Sequence, residues 1–221
     1  MRAGFHTYQL DVCWLKLVAI KTQKLVDPFM GTPQRFAAGV LGMWIFLVVV
    51  AMLFLGAIIG YVVVRVNPNL EDPFIPEGAT GLPGALVLST MALLVSSYSM
   101  HQATRHVRQG RSQKAHRCMT ITLVLACLFL ALQTFAWVTL WRQNIHFGDS
   151  LYAWSFYILT GLHALHVLAG FVPLIRVWRK TARGAYFKEH PEGIVYCEMY
   201  WHLLGVIWLV LYFTLWLGMR T

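Results

Sequence analysis

Five long apolar stretches separated by short polar connections set the pattern of this chain. They run near Val40–Val64, Leu82–Met100, Met119–Trp141, Leu151–Ile175 and Met199–Met219. A helix rises about 1.5 Å per residue, so about 20 apolar residues cross the hydrocarbon of a bilayer. Inside lipid the backbone must satisfy its own hydrogen bonds, and a helix does so within one segment. Each stretch therefore predicts one transmembrane helix. The expected fold class is all-α: a polytopic membrane protein with a five-helix domain over residues 39–221, preceded by an N-terminal tail over 1–38.

The charged positions sharpen this picture. The tail holds Arg2, Lys16, Lys21, Lys24 and Arg35; the connection between helices 2 and 3 holds Arg105, Arg108, Arg111, Lys114 and Arg117. The connection between helices 4 and 5 holds Arg176, Arg179, Lys180, Arg183 and Lys188. Those fifteen of the 18 Lys and Arg fall on one side of a five-span topology, leaving Arg65, Arg142 and Arg220 on the other. The positive-inside rule then places the N-terminus in the cytoplasm and the C-terminus outside. Composition agrees with a membrane class, at 58% hydrophobic and 12% charged, with a mean hydropathy of +0.59. The net charge of +9 belongs to short cytoplasmic connections facing anionic headgroups, so no nucleic-acid partner is expected.

Of the nine acidic residues only Glu198 borders a span. A charge at a helix centre costs roughly 2.5–3.5 kcal/mol on insertion scales. A proton pump needs buried carboxylates and a cation channel needs acidic rings; their scarcity argues against both. Cys13, Cys118, Cys127 and Cys197 form no C-x-x-C motif, and read as small buried hydrophobes. The tail lacks a signal-peptide pattern, since Asp11 and Lys16 interrupt its apolar run. It could lie on the cytoplasmic membrane surface with Trp14, Leu15, Leu17 and Val18 inserted. The loop from Asn67 to Gly81, with Pro68, Pro73, Pro76 and three acids, reads as an extended connection.

The candidate chemistry lies in the last two spans. Helix 4 carries His163 and His166, three apart and on one face. Helix 5 carries Glu198 and His202, four apart, with Trp201 and Trp208 seven apart. Helices 4 and 5 should pack antiparallel, with Gly161, Ala164 and Gly170 allowing close approach. His166, His202 and Glu198 could then join in one interhelical hydrogen-bond network. The other reading is ligation of haem or a metal by His101, His163, His166 and His202, since imidazole suits both. The Trp residues have a plain reading as interfacial anchors and packing groups.

The run Thr160-Gly161-Leu162-His163-Ala164-Leu165-His166-Val167, with Tyr200-Trp201-His202 and Val206-Ile207-Trp208, resembles subunit III of the haem–copper oxidases in its five-helix bacterial form. Gly42-Met43-Trp44-Ile45-Phe46-Leu47 and the pattern Leu82-Pro83, Thr90, Leu93-Leu94, Ser96-Ser97 resemble that family's first two helices. The likeness covers roughly residues 35–219. Where the family usually has acids, this chain has Val50, Ala136 and Gly205. The resemblance implies an accessory subunit without catalytic, cofactor-binding or metal-binding residues of its own. Its partners would be catalytic subunit I, subunit II and membrane phospholipid, in the inner membrane of a bacterial cell. Haem and copper would belong to the catalytic subunit, where oxygen reduction is coupled to proton translocation. His163, His166, Glu198, Trp201, His202 and Trp208 would then be structural, interhelical or lipid-contacting residues. The alternatives are subunit III of a quinol oxidase, an accessory subunit of nitric oxide reductase, and, more distantly, a haem b membrane anchor of a dehydrogenase.

Overall fold

The computed structural model describes residues 32–66, 84–143, 151–183 and 192–220. The tail residues before 32 and the loop from Asn67 to Gly81, and with them the expectations made for both, lie outside the described residues. Among the described residues the structure is five helices and no strand: α1 (Thr32–Val66), α2 (Gly84–Arg108), α3 (Ser112–Arg142), α4 (Leu151–Ala182) and α5 (Glu192–Arg220). All five are long and apolar enough to cross a membrane. The chain divides into two compact units, Met1–Met43 and Trp44–Thr221. The described part of the first is the opening of α1; all packing below concerns the second.

The helices run past the apolar stretches that announce them. α2 continues from Met100 to Arg108, α3 starts at Ser112, α4 reaches Ala182 and α5 starts at Glu192. Most of the basic residues expected in these two connections thus sit on helical turns beyond the apolar stretches. Apolarity marks the lipid and not the end of the helix. Between α2 and α3 only three residues intervene. The Arg111 N–H donates to the His106 carbonyl at 2.9 Å and the Gly110 N–H to the Val107 carbonyl at 2.9 Å. This is a Schellman closure, which needs a left-handed residue, and Gly110 supplies it with φ +73°.

Within the second unit α2 packs on α3, α3 on α4, α4 on α5, and α5 back on α2, closing a four-helix ring. Residues 44–66 of α1 lie beside that ring and turn Leu47, Val50, Phe54 and Tyr61 inward as one stripe. α2 shows why the ring holds in lipid. Val87, Leu88, Met91 and Val95 face outward, whereas Ser89, Thr90, Ser96, Ser99 and Thr104 are buried. Lipid tails are as apolar as leucine, so burial of apolar area does not drive helices together there; close packing and interhelical hydrogen bonds do.

Each interface of the ring has its own device. Ser96 and Ser99 of α2 donate to the Thr122 and Cys118 carbonyls of α3, at 3.4 and 2.9 Å. α3 and α4 exchange indole bonds: Trp137 to Thr160 at 3.0 Å and Trp178 to Thr120 at 2.9 Å. α4 meets α5 at Gly170, where an added Cβ would lie 2.9 Å from Tyr200 Cε1. Tyr200 also donates its hydroxyl to the His166 carbonyl at 2.9 Å.

Candidate functional site

The fourth interface, α2 with α5, carries most of the candidate residues. Trp201 donates its indole N–H to Ser96 Oγ at 2.9 Å, and Trp208 donates to Thr90 Oγ1 at 3.0 Å. Both indoles are buried. One turn before Trp201, Glu198 Oε1 lies 2.8 Å from His101 Nδ1 and 3.6 Å from His202 Nε2. Between the two tryptophans, Gly205 keeps the helices close: a Cβ there would stand 3.1 Å from Ser97 Oγ. Three side-chain rungs, 198 to 101, 201 to 96 and 208 to 90, therefore tie α5 to α2 along about three turns.

His163 of α4 projects into the centre of the bundle and is fully buried. Its ring centroid is 4.9 Å from that of Trp208, 5.7 Å from Phe129 and 6.1 Å from Phe54. Neither ring nitrogen has a hydrogen-bond partner, and the same is true of both side-chain polar atoms of buried Gln133 on α3. The Trp137–Thr160 bond fixes the register of α3 on α4. In antiparallel helices that register puts Gln133, one turn from Trp137, at the level of His163, one turn from Thr160. His166 is partly buried; its Nδ1 lies 2.8 Å from the Leu162 carbonyl of its own helix, and its ring meets Phe54 at 5.0 Å.

The expected meeting of His166 with His202 and Glu198 does not form. α5 presents Glu198 to α2, while the side facing α4 is filled by Tyr200 and Trp201 against Gly170. Gly161, expected to help the helices approach, has open space around it. The sequence offers His101 only as one of four candidate ligands; Thr90, Ser96 and Thr160 stand in the motifs of the resemblance without a hydrogen-bonding role, and Thr120 is not among them. Hydroxyl residues recurring inside otherwise apolar spans were the available signal.

These features define a multi-pass α-helical membrane protein whose interior polar groups mostly join one helix to another. A sequence model of the family described as cytochrome c oxidase subunit III matches residues 27–219. Among similar proteins, cytochrome c oxidase subunit 3 of Synechocystis sp. is 32% identical over 178 residues, covering 80% of this chain and 74% of that one. The subunit 3 of Thermostichus vulcanus is 28% identical over 82% of this chain and 88% of its own length. That of Corynebacterium diphtheriae is 29% identical over 88% of this chain and 98% of its own. The chain belongs to the cytochrome c oxidase subunit III family, a component of an enzyme complex of the bacterial membrane.

The three positions where the resemblance implies acids fit this interior. Val50 and Ala136 are buried, Ala136 completely, and Gly205 stands against Ser97. The fold has closed over each of them with small or apolar groups.

Proposed function

We propose that this chain is an accessory, non-redox subunit III of a bacterial respiratory terminal oxidase that reduces oxygen and translocates protons. It would brace the catalytic subunit, contact subunit II and bind phospholipid. The N-terminus would face the cytoplasm, as the clustering of Lys and Arg at the α2–α3 and α4–α5 ends favours.

The observation that carries this reading is the use made of the motif residues. His163, Trp201 and Trp208 are enclosed by other side chains, and both indoles are engaged across the α2–α5 interface. His163 is fully buried among the rings of Phe54, Phe129 and Trp208, and a porphyrin would need the space those rings fill, which favours a structural role over ligation of haem. Lipid binding is supported by a groove of about 240 Å³ between α1 and α4, lined almost wholly by apolar atoms of Ala57, Gly60, Val64, Trp154 and Ile158. That apolar lining suits part of an acyl chain. The outer faces of the helices, with Val49, Met52, Val87, Met91, Val124 and Val206 exposed, suit lipid or a partner's membrane helices.

Spectroscopy tests the non-redox role. The purified chain should show no Soret band. In the assembled oxidase, His→Ala at positions 163, 166 or 202 should loosen the complex and leave its haem spectrum intact. A cytochrome b spectrum in the isolated chain, bleached by those substitutions, would instead identify a haem-bearing anchor.

A further inference from the structure

At the basic end of the α2–α5 interface three potential ligands converge from two helices. One potential ligand atom from each of His101, Glu198 and His202 lies within 4.8 Å of the other two. The His101–Glu198 pair alone would satisfy the carboxylate with one imidazole, at 2.8 Å. The second imidazole is superfluous to that pairing. At 3.6 Å from the same oxygen, His202 is too far for a good hydrogen bond, yet it is turned toward the same point. Three donors that face one space without completing a hydrogen-bond set resemble a coordination sphere more than an ion pair.

We propose that His101, Glu198 and His202 form a binding site for a divalent transition-metal ion, with zinc the expected occupant. Two imidazoles and one carboxylate are a ligand set that zinc accepts, with a fourth position left to water. Metal–ligand distances of about 2.0–2.2 Å in a tetrahedron place ligand atoms about 3.4 Å apart. The separations of 2.8 and 3.6 Å bracket that value, and the third lies within 4.8 Å. Small side-chain rotations therefore suffice, without movement of either helix. Metal binding requires each imidazole as a neutral ligand, with His101 carrying its hydrogen on Nε2 so that the Nδ1 lone pair faces the metal in place of the hydrogen bond to Glu198.

Surroundings and access fit as well. Glu198 is 13% exposed while His101 and His202 are 52% and 41% exposed, so the carboxylate is held and the site stays open on one side. The ligands come from the two helices already tied by Trp201–Ser96 and Trp208–Thr90. A bound ion would replace the His101–Glu198 hydrogen bond by a three-ligand tie at the end where the indole rungs stop. This site is separate from the buried His163 cluster.

The test uses the full chain purified in detergent, stripped with a chelator and titrated with zinc chloride. Bound zinc is counted by mass spectrometry after gel filtration, and affinity is read by competition with a chelating dye. Wild type should retain one zinc per chain. Glu198→Gln and the His101→Ala/His202→Ala double variant should bind at least about 100-fold more weakly, a larger loss than most outer-shell substitutions cause. Glu198→Gln keeps the side chain's shape, and its carbonyl can still accept from His101, so it should fold and melt like wild type without metal. His116→Gln, on α3, should bind like wild type. Cobalt in place of zinc should give visible bands without sulfur charge transfer. Equal zinc binding by wild type and Glu198→Gln, no retained zinc in wild type, or a thiolate-to-cobalt band would each overturn the proposal.

Discussion

Trp208 of α5 donates its indole N–H to Thr90 Oγ1 of α2 at 3.0 Å, and the same tryptophan lies 4.9 Å from His163 of α4, ring to ring. One side chain thus joins three helices. Its polar edge is used on one neighbour and its face on another, which is how a large aromatic with a single donor is accommodated where no water is available.

Replacing Trp208 or Trp201 by Phe removes the donor and keeps an aromatic ring. Thr90 still donates to the Leu86 carbonyl, at 2.7 Å, so its hydroxyl hydrogen is not stranded. Each substitution should lower stability by about 1 kcal/mol, in the range of measured interhelical hydrogen bonds in membranes. The two sites lie two turns apart and should add within about 0.5 kcal/mol. Denaturant titration of the chain in detergent measures both, and a marked excess in the double variant would show that the rungs cooperate.

Gly170 and Gly161 separate close approach from mere sequence. Gly170→Ala places a methyl carbon 2.9 Å from Tyr200 and 3.4 Å from Trp201, and should cost about 1–3 kcal/mol by overpacking. Gly161→Ala meets open space and should stay within about 0.5 kcal/mol of wild type. Thermal unfolding of the two variants side by side gives the comparison.

His163 should respond to shape more than to chemistry. His163→Ala leaves a cavity among Trp208, Phe129 and Phe54 and should cost about 2–5 kcal/mol. His163→Leu fills the space and removes two buried nitrogens that have no hydrogen-bond partner, so it should be near neutral or stabilising. If leucine is as damaging as alanine in an unfolding assay, the ring nitrogens hold something essential.

Placing an acid at Ala136 should fail. That side chain is fully buried in the α3 packing, and a glutamate there brings both extra volume and an uncompensated carboxyl group. Ala136→Glu should lose several kcal/mol and sharply reduce the amount of chain recovered from membranes, as a blot of solubilised membranes would show.

The five helices were legible because apolar length is a direct consequence of bilayer thickness. Their ends were not, because Arg105, Lys114 and Arg179 tolerate a helix as well as a loop once outside the hydrocarbon. That His163, Trp201 and Trp208 would have to be packed or partnered could be read from the cost of burying polar atoms in lipid. Their partners could not, since Thr90 and Ser96 lie over a hundred residues away in sequence and nothing local pairs α5 with α2. Glu198 was visible as the one acid beside a span, but short-range spacing pointed it at His166, and only the ring closure of α5 onto α2 brought it to His101.

The central claim is membership in an oxidase as a supporting subunit, and affinity purification of this chain from native membranes in mild detergent tests it most directly. The account predicts that a large catalytic subunit with high-spin haem and copper accompanies it in fixed ratio. Recovery of the chain alone, or with a complex lacking haem and copper, would contradict it.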